Sequence, residues 1–188
     1  MQQEIYGDPL DVDVLFALHP LLETRSNNPR IQPLFDNAGD HIYWGSGAPS
    51  YRALSVADRP APAELREVQS GFSPARIFYT QLPDLPARVS NLAHSLTQGL
   101  DNNYDRVTAI NDFLFTEFDY TLELPRSARQ ATLEYFLFER GEGHCEYFST
   151  AMVVLLRNLG IHSREVNGFL GGQWNSFGQY LAVTQNEA

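Results

Sequence analysis

The sequence offers a single thiol. Cys145 is the only cysteine among 188 residues. It stands in Gly141-Glu142-Gly143-His144-Cys145-Glu146-Tyr147-Phe148, where a long apolar stretch begins. A thiol becomes a useful nucleophile once ionised, and a helix start favours the thiolate through its free N–H groups and dipole. The same N–H groups can stabilise the oxyanion that forms when a thiolate attacks a carbonyl. The chemistry to expect at such an address is acyl transfer through a thioester. A solitary cysteine also serves as a small core hydrophobe, so the surrounding elements must decide between the two.

A nucleophilic thiol needs a base within hydrogen-bond reach. His144 adjoins Cys145, and sequence neighbours point apart at a helix start. His162 opens the segment after the apolar stretch. A strand beginning there runs back beside the helix, which keeps His162 as a candidate base, with a solvated strand end as its ordinary role. His19, His41 and His94 have no cysteine or acidic cluster around them in the sequence. A zinc site from His144, Cys145 and His162 lacks the paired spacing such sites show, so neither metal nor cofactor is expected. Glu146 is expected to contribute a favourable first-turn charge. Trp174 and Tyr180 read as loop anchor and strand core, or as lining of an acyl-donor groove.

The elements that must position these residues emerge from Phe72 onward. Pro86 to Leu100 places Val89, Leu92, Ala93, Leu96 and Leu100 on one helical face. Tyr104 to Phe118 repeats the pattern with Val107, Ile110, Leu114 and Phe118. An extended piece from Tyr120 to Leu124 follows, then a short helix from Ala131 to Phe138 stopped by Gly141 and Gly143. Cys145 to Leu159 predicts a helix apolar nearly all round, with Phe148, Ala151, Met152, Leu155 and Leu159 at core spacing and Val153, Val154 and Leu156 on the other face. Such a helix belongs inside a domain. Arg164 to Phe169 and Gln179 to Thr184 read as strands flanking the glycine-rich loop Gly171 to Gly178. Helices followed by strands imply an α+β domain with Cys145 at the tip of its central helix. Residues 1–71 read as an irregular, strand-bearing extension rich in turn formers, such as Asn27-Asn28-Pro29 and Gly45-Ser46-Gly47. Residues 72–188 read as the core.

Composition narrows the function classes. Apolar content of 43% and aromatic content of 12% exclude wholesale disorder. The net charge is −10, and all 13 basic residues are arginine, which makes phosphate-driven nucleic-acid binding a poor expectation. The missing lysine fits codon bias better than avoidance of self-acylation. No apolar run reaches membrane-spanning length, and Met1-Gln2-Gln3-Glu4 lacks the basic start of a signal peptide.

Phe136-Leu137-Phe138-Glu139-Arg140-Gly141-Glu142-Gly143-His144-Cys145-Glu146-Tyr147-Phe148 is followed in register by Leu155-Leu156-Arg157-Asn158-Leu159-Gly160-Ile161. Val166-Asn167-Gly168-Phe169, Gly171-Gly172, Trp174-Asn175 and Gln179-Tyr180-Leu181-Ala182-Val183 continue the run. This run resembles the transglutaminase-like branch of the papain-like fold, specifically bacterial transglutaminases whose soluble domain hangs between membrane-spanning segments. A weaker likeness reaches back through Asp119-Tyr120-Thr121-Leu122 to Leu82-Pro83.

The resemblance implies a transglutaminase-like core whose central helix carries the nucleophile, Cys145, packed on an antiparallel sheet that is incomplete at the C-terminus. It implies protein or peptide substrates bearing glutamine. Their carboxamide yields ammonia and a thioester, which an amine converts to a crosslink and water to a carboxylate. It further implies no cofactor, membrane anchorage of the full-length relatives, and a periplasmic or otherwise extracytoplasmic placement. The family's base is a histidine in a segment resembling Asp-Ala-His-Ala-Trp, oriented by a later aspartate. Asn186-Glu187-Ala188 resembles the approach to that histidine, so both groups are expected past Ala188 and little acyl transfer is expected from this chain. The alternatives are a non-catalytic papain-like binding or scaffold module and a cysteine protease, the latter disfavoured by Glu146 where a tryptophan is expected. Three departures stand out: His162 replaces a proline, Glu165 replaces an apolar strand residue, and Ser149-Thr150-Ala151 replaces smaller residues.

Overall fold

The computed structural model describes residues 1–8, 13–35, 41–68, 74–123, 127, 129 and 131–184. Contacts divide the chain into two compact units, Met1–Pro60 with Gly168–Ala188, and Ala61–Asn167. The change of sequence pattern falls near Phe72, within the second unit.

The first unit carries five strands: β1 (Gln2–Tyr6), β2 (Leu21–Ser26), β3 (Ile31–Phe35), β4 (His41–Gly45) and β5 (Ser50–Ser55). β5 lies between β1 and β2 and is antiparallel to both. Its alternation decides its face: Tyr51, Ala53 and Ser55 point inward and are buried. β3 and β4 form a separate antiparallel pair. Leu15, Ile31 and Tyr43 complete a small core with Tyr51 and Ala53. The Tyr51 hydroxyl donates to the Phe16 carbonyl at 2.5 Å, and burial pushes its phenol up to about 12.

The second unit is helical. α1 (Pro62–Glu67) and a 3₁₀ turn (Pro74–Thr80) lead into α2 (Ala87–Leu96) and α3 (Asn103–Glu117). The Asn102 side chain caps α3 by accepting from Asp105 N at 2.9 Å. β6 (Asp119–Tyr120), α4 (Leu133–Tyr135), a π-helical turn (Phe136–Arg140) and β7 (Glu142–Gly143) bring the chain to α5 (Cys145–Asn158). Val89 and Ala93 of α2, Ile110 and Leu114 of α3, and Ala151, Val154, Leu155 and Leu156 of α5 meet Phe136 and Leu137 in one core. Leu155 is fully buried, which contributes roughly 1.5–3 kcal/mol. α5 is therefore the central helix of its unit, as its all-round apolar pattern predicts. The last described residues group with the first unit and form the hairpin of β8 (Gln173–Asn175) and β9 (Tyr180–Ala182).

The architecture is α+β, with small sheets that are antiparallel apart from the two-residue parallel pair β6·β7. Three segments differ from the sequence expectation. Arg164 to Phe169 forms no ladder. A strand exists through its backbone ladder, whereas this stretch is held through side chains: Glu165 accepts from Ser149 and Thr150, and the Phe169 ring meets Phe16 at 4.8 Å between centroids. Just before it, Ser163 N donates instead to Tyr79 O at 3.2 Å. The predicted strand from Gln179 to Thr184 narrows to Tyr180–Ala182. The short helix expected from Ala131 to Phe138 is a single α-turn that widens into the π-turn. Residues 185–188, with the Asn186-Glu187-Ala188 approach, lie outside the described residues.

Candidate active site

Cys145 is the first residue of α5 and is exposed. His144 occupies the N-cap with extended backbone, and no side chain caps the helix. Uncapped first-turn N–H groups are the donors an oxyanion requires. Glu146, also exposed, supplies a first-turn carboxylate.

Three features aim this helix start. First, the π-turn ends on Gly141 in the left-handed region, φ 68°, where Gly141 N donates to Phe136 O at 3.1 Å. A side chain there is strained, so glycine suits the position. Second, the two residues before His144 are held in a parallel bridge. Asp119 N donates to Gly141 O and Thr121 N to Gly143 O, each at 2.9 Å. Third, Gly143 lies against the aromatic core. A Cβ there meets Tyr147 Cβ and Cδ2 at 3.0 Å and Phe136 Cε2 at 3.1 Å. Phe136 is fully buried and packs at a tilt against Phe118 at 4.8 Å and Tyr147 at 5.4 Å, and edge-on against Phe148 at 5.3 Å, between ring centroids. The aromatic cluster thus anchors the turn that presents the thiol.

The histidines of this unit are placed as follows. The His144 ring packs edge-on against Tyr147 at 4.9 Å. His162 sits at the opposite end of α5. Ile161 N donates to Leu156 O at 3.0 Å and Ser163 Oγ to Val153 O at 3.1 Å. Val153 is about two turns, roughly 12 Å, along the helix from Cys145. The chain does run back beside α5, but His162 stands where that return begins, out of reach of the sulfur. His94 lines a cavity with Arg106 and Asn158 at the C-terminal end of α5. In the first unit, His41 Nε2 is 2.8 Å from Thr24 Oγ1, and burial lowers its pKa, partly offset by a hydrogen bond from the ring to the Leu15 backbone. Trp174 and Tyr180 are exposed on the β8·β9 hairpin, where Asn175 Nδ2 donates to the Tyr180 hydroxyl at 3.0 Å. Among the described residues no group of three or more His, Cys, Asp or Glu could hold a metal ion.

Two arrangements near Cys145 escaped the sequence reading. A cavity of about 200 Å³ flanks the helix start, lined by Ala131, Leu133, His144, Glu146, Tyr147 and Thr150. Glu165 accepts hydrogen bonds from Ser149 and Thr150, one turn and a little more along α5 from Cys145. The signal existed as two unrelated departures from the family pattern, at Ser149-Thr150 and at Glu165, which only the fold joins.

A helix-borne thiol presented this way, on a mixed helix and sheet scaffold, defines a transglutaminase-like protein. The model of the transglutaminase-like superfamily matches residues 90–188, and the chain belongs to that superfamily. It is 35% identical over 177 residues to the uncharacterized protein YebA of Bacillus subtilis, covering 89% of this chain and 24% of that protein. It is 35% identical over 102 residues to a protein-glutamine gamma-glutamyltransferase of Pseudomonas aeruginosa, covering 54% of this chain and 15% of that protein. The crystal structure of the periplasmic domain of TgpA from Pseudomonas aeruginosa bound to ethylmercury superposes with a TM-score of 0.74 at 27% identity, covering 99% of this chain and 64% of that one. The chain thus spans a quarter or less of the length of the curated relatives it matches.

Proposed function

We propose that the chain carries the nucleophilic part of a thiol acyltransferase acting on glutamine-bearing proteins or peptides, on the extracytoplasmic side of a bacterial membrane. The observation that carries this reading is the exposed Cys145 thiol at the uncapped start of a buried central helix. The Cys145 thiolate attacks the γ-carboxamide carbon, and the oxyanion of the tetrahedral intermediate is held by first-turn N–H groups. The C–N bond breaks, ammonia leaves with a proton, and a thioester remains on Sγ. An amine or water then attacks the thioester and regenerates the thiol. The cavity beside His144 and Tyr147 has room for the residue next to the glutamine.

The relatives support this reading: one is named a protein-glutamine gamma-glutamyltransferase and another is a periplasmic domain. That domain was crystallised with ethylmercury, a thiol-seeking reagent. In this chain Cys145 is the sole thiol available to such a reagent. Among the described residues no helix is long and apolar enough to cross a membrane.

Among the described residues of its own unit, Cys145 has no histidine placed to take its proton or to protonate ammonia. An activated ester needs no protonated leaving group, whereas an amide does. Incubation with a p-nitrophenyl ester of an acyl-glycine should therefore add one acyl group, located by mass spectrometry on Cys145 and absent from Cys145→Ala. Glutamine peptides should release ammonia at no more than the rate seen with Cys145→Ala. An ester that leaves Cys145 unmodified overturns the nucleophile assignment and favours a binding module. Rapid ammonia release dependent on Cys145 overturns the missing-base assignment.

A further inference from the structure

We propose that Glu165 is a positioning residue for Cys145, latching the first turns of α5 through the hydroxyls of Ser149 and Thr150. The inference rests on the reading of Cys145 as the acyl-transfer nucleophile.

Ser149 Oγ has one proton and three acceptors in reach: Cys145 O at 3.0 Å, Glu146 O at 3.2 Å and, nearest, Glu165 Oε1. A hydroxyl donates once, and an ionised carboxylate is the stronger acceptor. The proton therefore goes to Glu165. Thr150 Oγ1 donates to the same carboxylate oxygen at 3.3 Å. Without Glu165 the Ser149 hydroxyl falls back on the carbonyls of Cys145 and Glu146. Those bonds lie within one helix and no longer hold α5 to the returning chain. The part set loose is the turn whose N–H groups face the thiolate.

The latch also ties α5 to the returning chain. Ser163 is fixed beside Val153 and Glu165 beside Ser149, so this stretch runs antiparallel to the helix and toward the thiol. An apolar residue at position 165 can make neither hydroxyl contact. Ser149 and Thr150 on one element and Glu165 on another are thus one device.

The test compares Glu165→Gln with Glu165→Ala. Both remove the charge, but only glutamine keeps an oxygen that accepts from the two hydroxyls. The readout is the second-order rate of iodoacetamide with Cys145 at one fixed pH near neutrality, which needs no acyl-transfer activity. Glu165→Ala should react about two- to fivefold more slowly than Glu165→Gln, and adding Ser149→Ala to Glu165→Ala should change nothing further. Equal rates for the two single variants, or an additive loss from Ser149→Ala, overturn the latch. If Glu165→Ala loses its helical circular dichroism, Ser149→Ala with Glu165 intact replaces it. That variant should slow alkylation about two- to fivefold against the native chain, and an unchanged rate overturns the proposal. Should the activated ester fail to acylate Cys145 while Gln and Ala at 165 still differ, the latch stands and the reaction class falls.

Discussion

Gly143 and Tyr147 are packed so closely that a Cβ on the glycine comes within 3.0 Å of both Cβ and Cδ2 of the tyrosine. Tyr147 is held in turn by Phe136 and by the His144 ring, so it has little freedom to retreat. The contact joins the residue two before Cys145 to the residue two after it. Gly143→Ala should destabilise the second unit by about 1–3 kcal/mol. That lowers the melting temperature of the helical circular dichroism signal by roughly 2–10 °C. Alkylation of Cys145 should slow as well, because Tyr147 can yield only by tilting the first turn of α5. A variant that melts within a degree of the native chain would show that the contact relaxes freely.

His162 provides a control in the opposite direction. Its neighbours hydrogen-bond to Val153 and Leu156, at the far end of α5 from Cys145. His162→Ala should leave both the iodoacetamide rate and ester acylation of Cys145 unchanged within about twofold. A tenfold loss in either would place the ring close enough to act on the sulfur.

What could be read from the sequence follows the range of the interactions. The helices carrying Val89 and Ala93, Ile110 and Leu114, and Ala151 and Leu155 are legible because burial periodicity is written within each segment. Cys145 at a helix start is legible for the same reason. The π-turn is not, since its extra residue depends on Gly141 reaching back to Phe136. The pairing of Asp119–Tyr120 with Glu142–Gly143 is too short to leave a pattern. Glu165 and Ser149 were visible only as separate oddities. The five strands of the first unit are short and interrupted by turn formers, so no single window shows more than hints of them.

The first unit should lose stability in mild acid through His41. Burial lowers its folded pKa below the ordinary value of 6.5. The unfolded chain then binds more protons than the folded one in the window between the two values. Stability is therefore full above 6.5 and falls as pH drops through that window. Both tryptophans, Trp44 and Trp174, belong to this unit, so their fluorescence follows its denaturation. The urea midpoint should fall between pH 7.5 and pH 5, and His41→Gln should reduce that fall. A midpoint shift of the same size in native chain and variant would assign the acid sensitivity elsewhere.

Arg157 closes the end of α5 opposite Cys145 and requires its forked side chain. Nε and Nη2 donate to Ser163 O at 3.0 and 2.7 Å, while Nη1 donates to Gln81 O at 2.9 Å. The guanidinium thus fastens the last turn of α5 to two loops at once, and its charge is favourable at a helix C-terminus. Arg157→Ala should cost about 1.5–3 kcal/mol in denaturant unfolding followed by helical circular dichroism. Arg157→Lys keeps the charge, yet a single ammonium cannot span carbonyls that a planar fork engages from separate nitrogens. Lysine should therefore restore less than half of what alanine loses. Full restoration by lysine would mean that charge at the helix end, and not the bridging geometry, holds the returning chain beside α5.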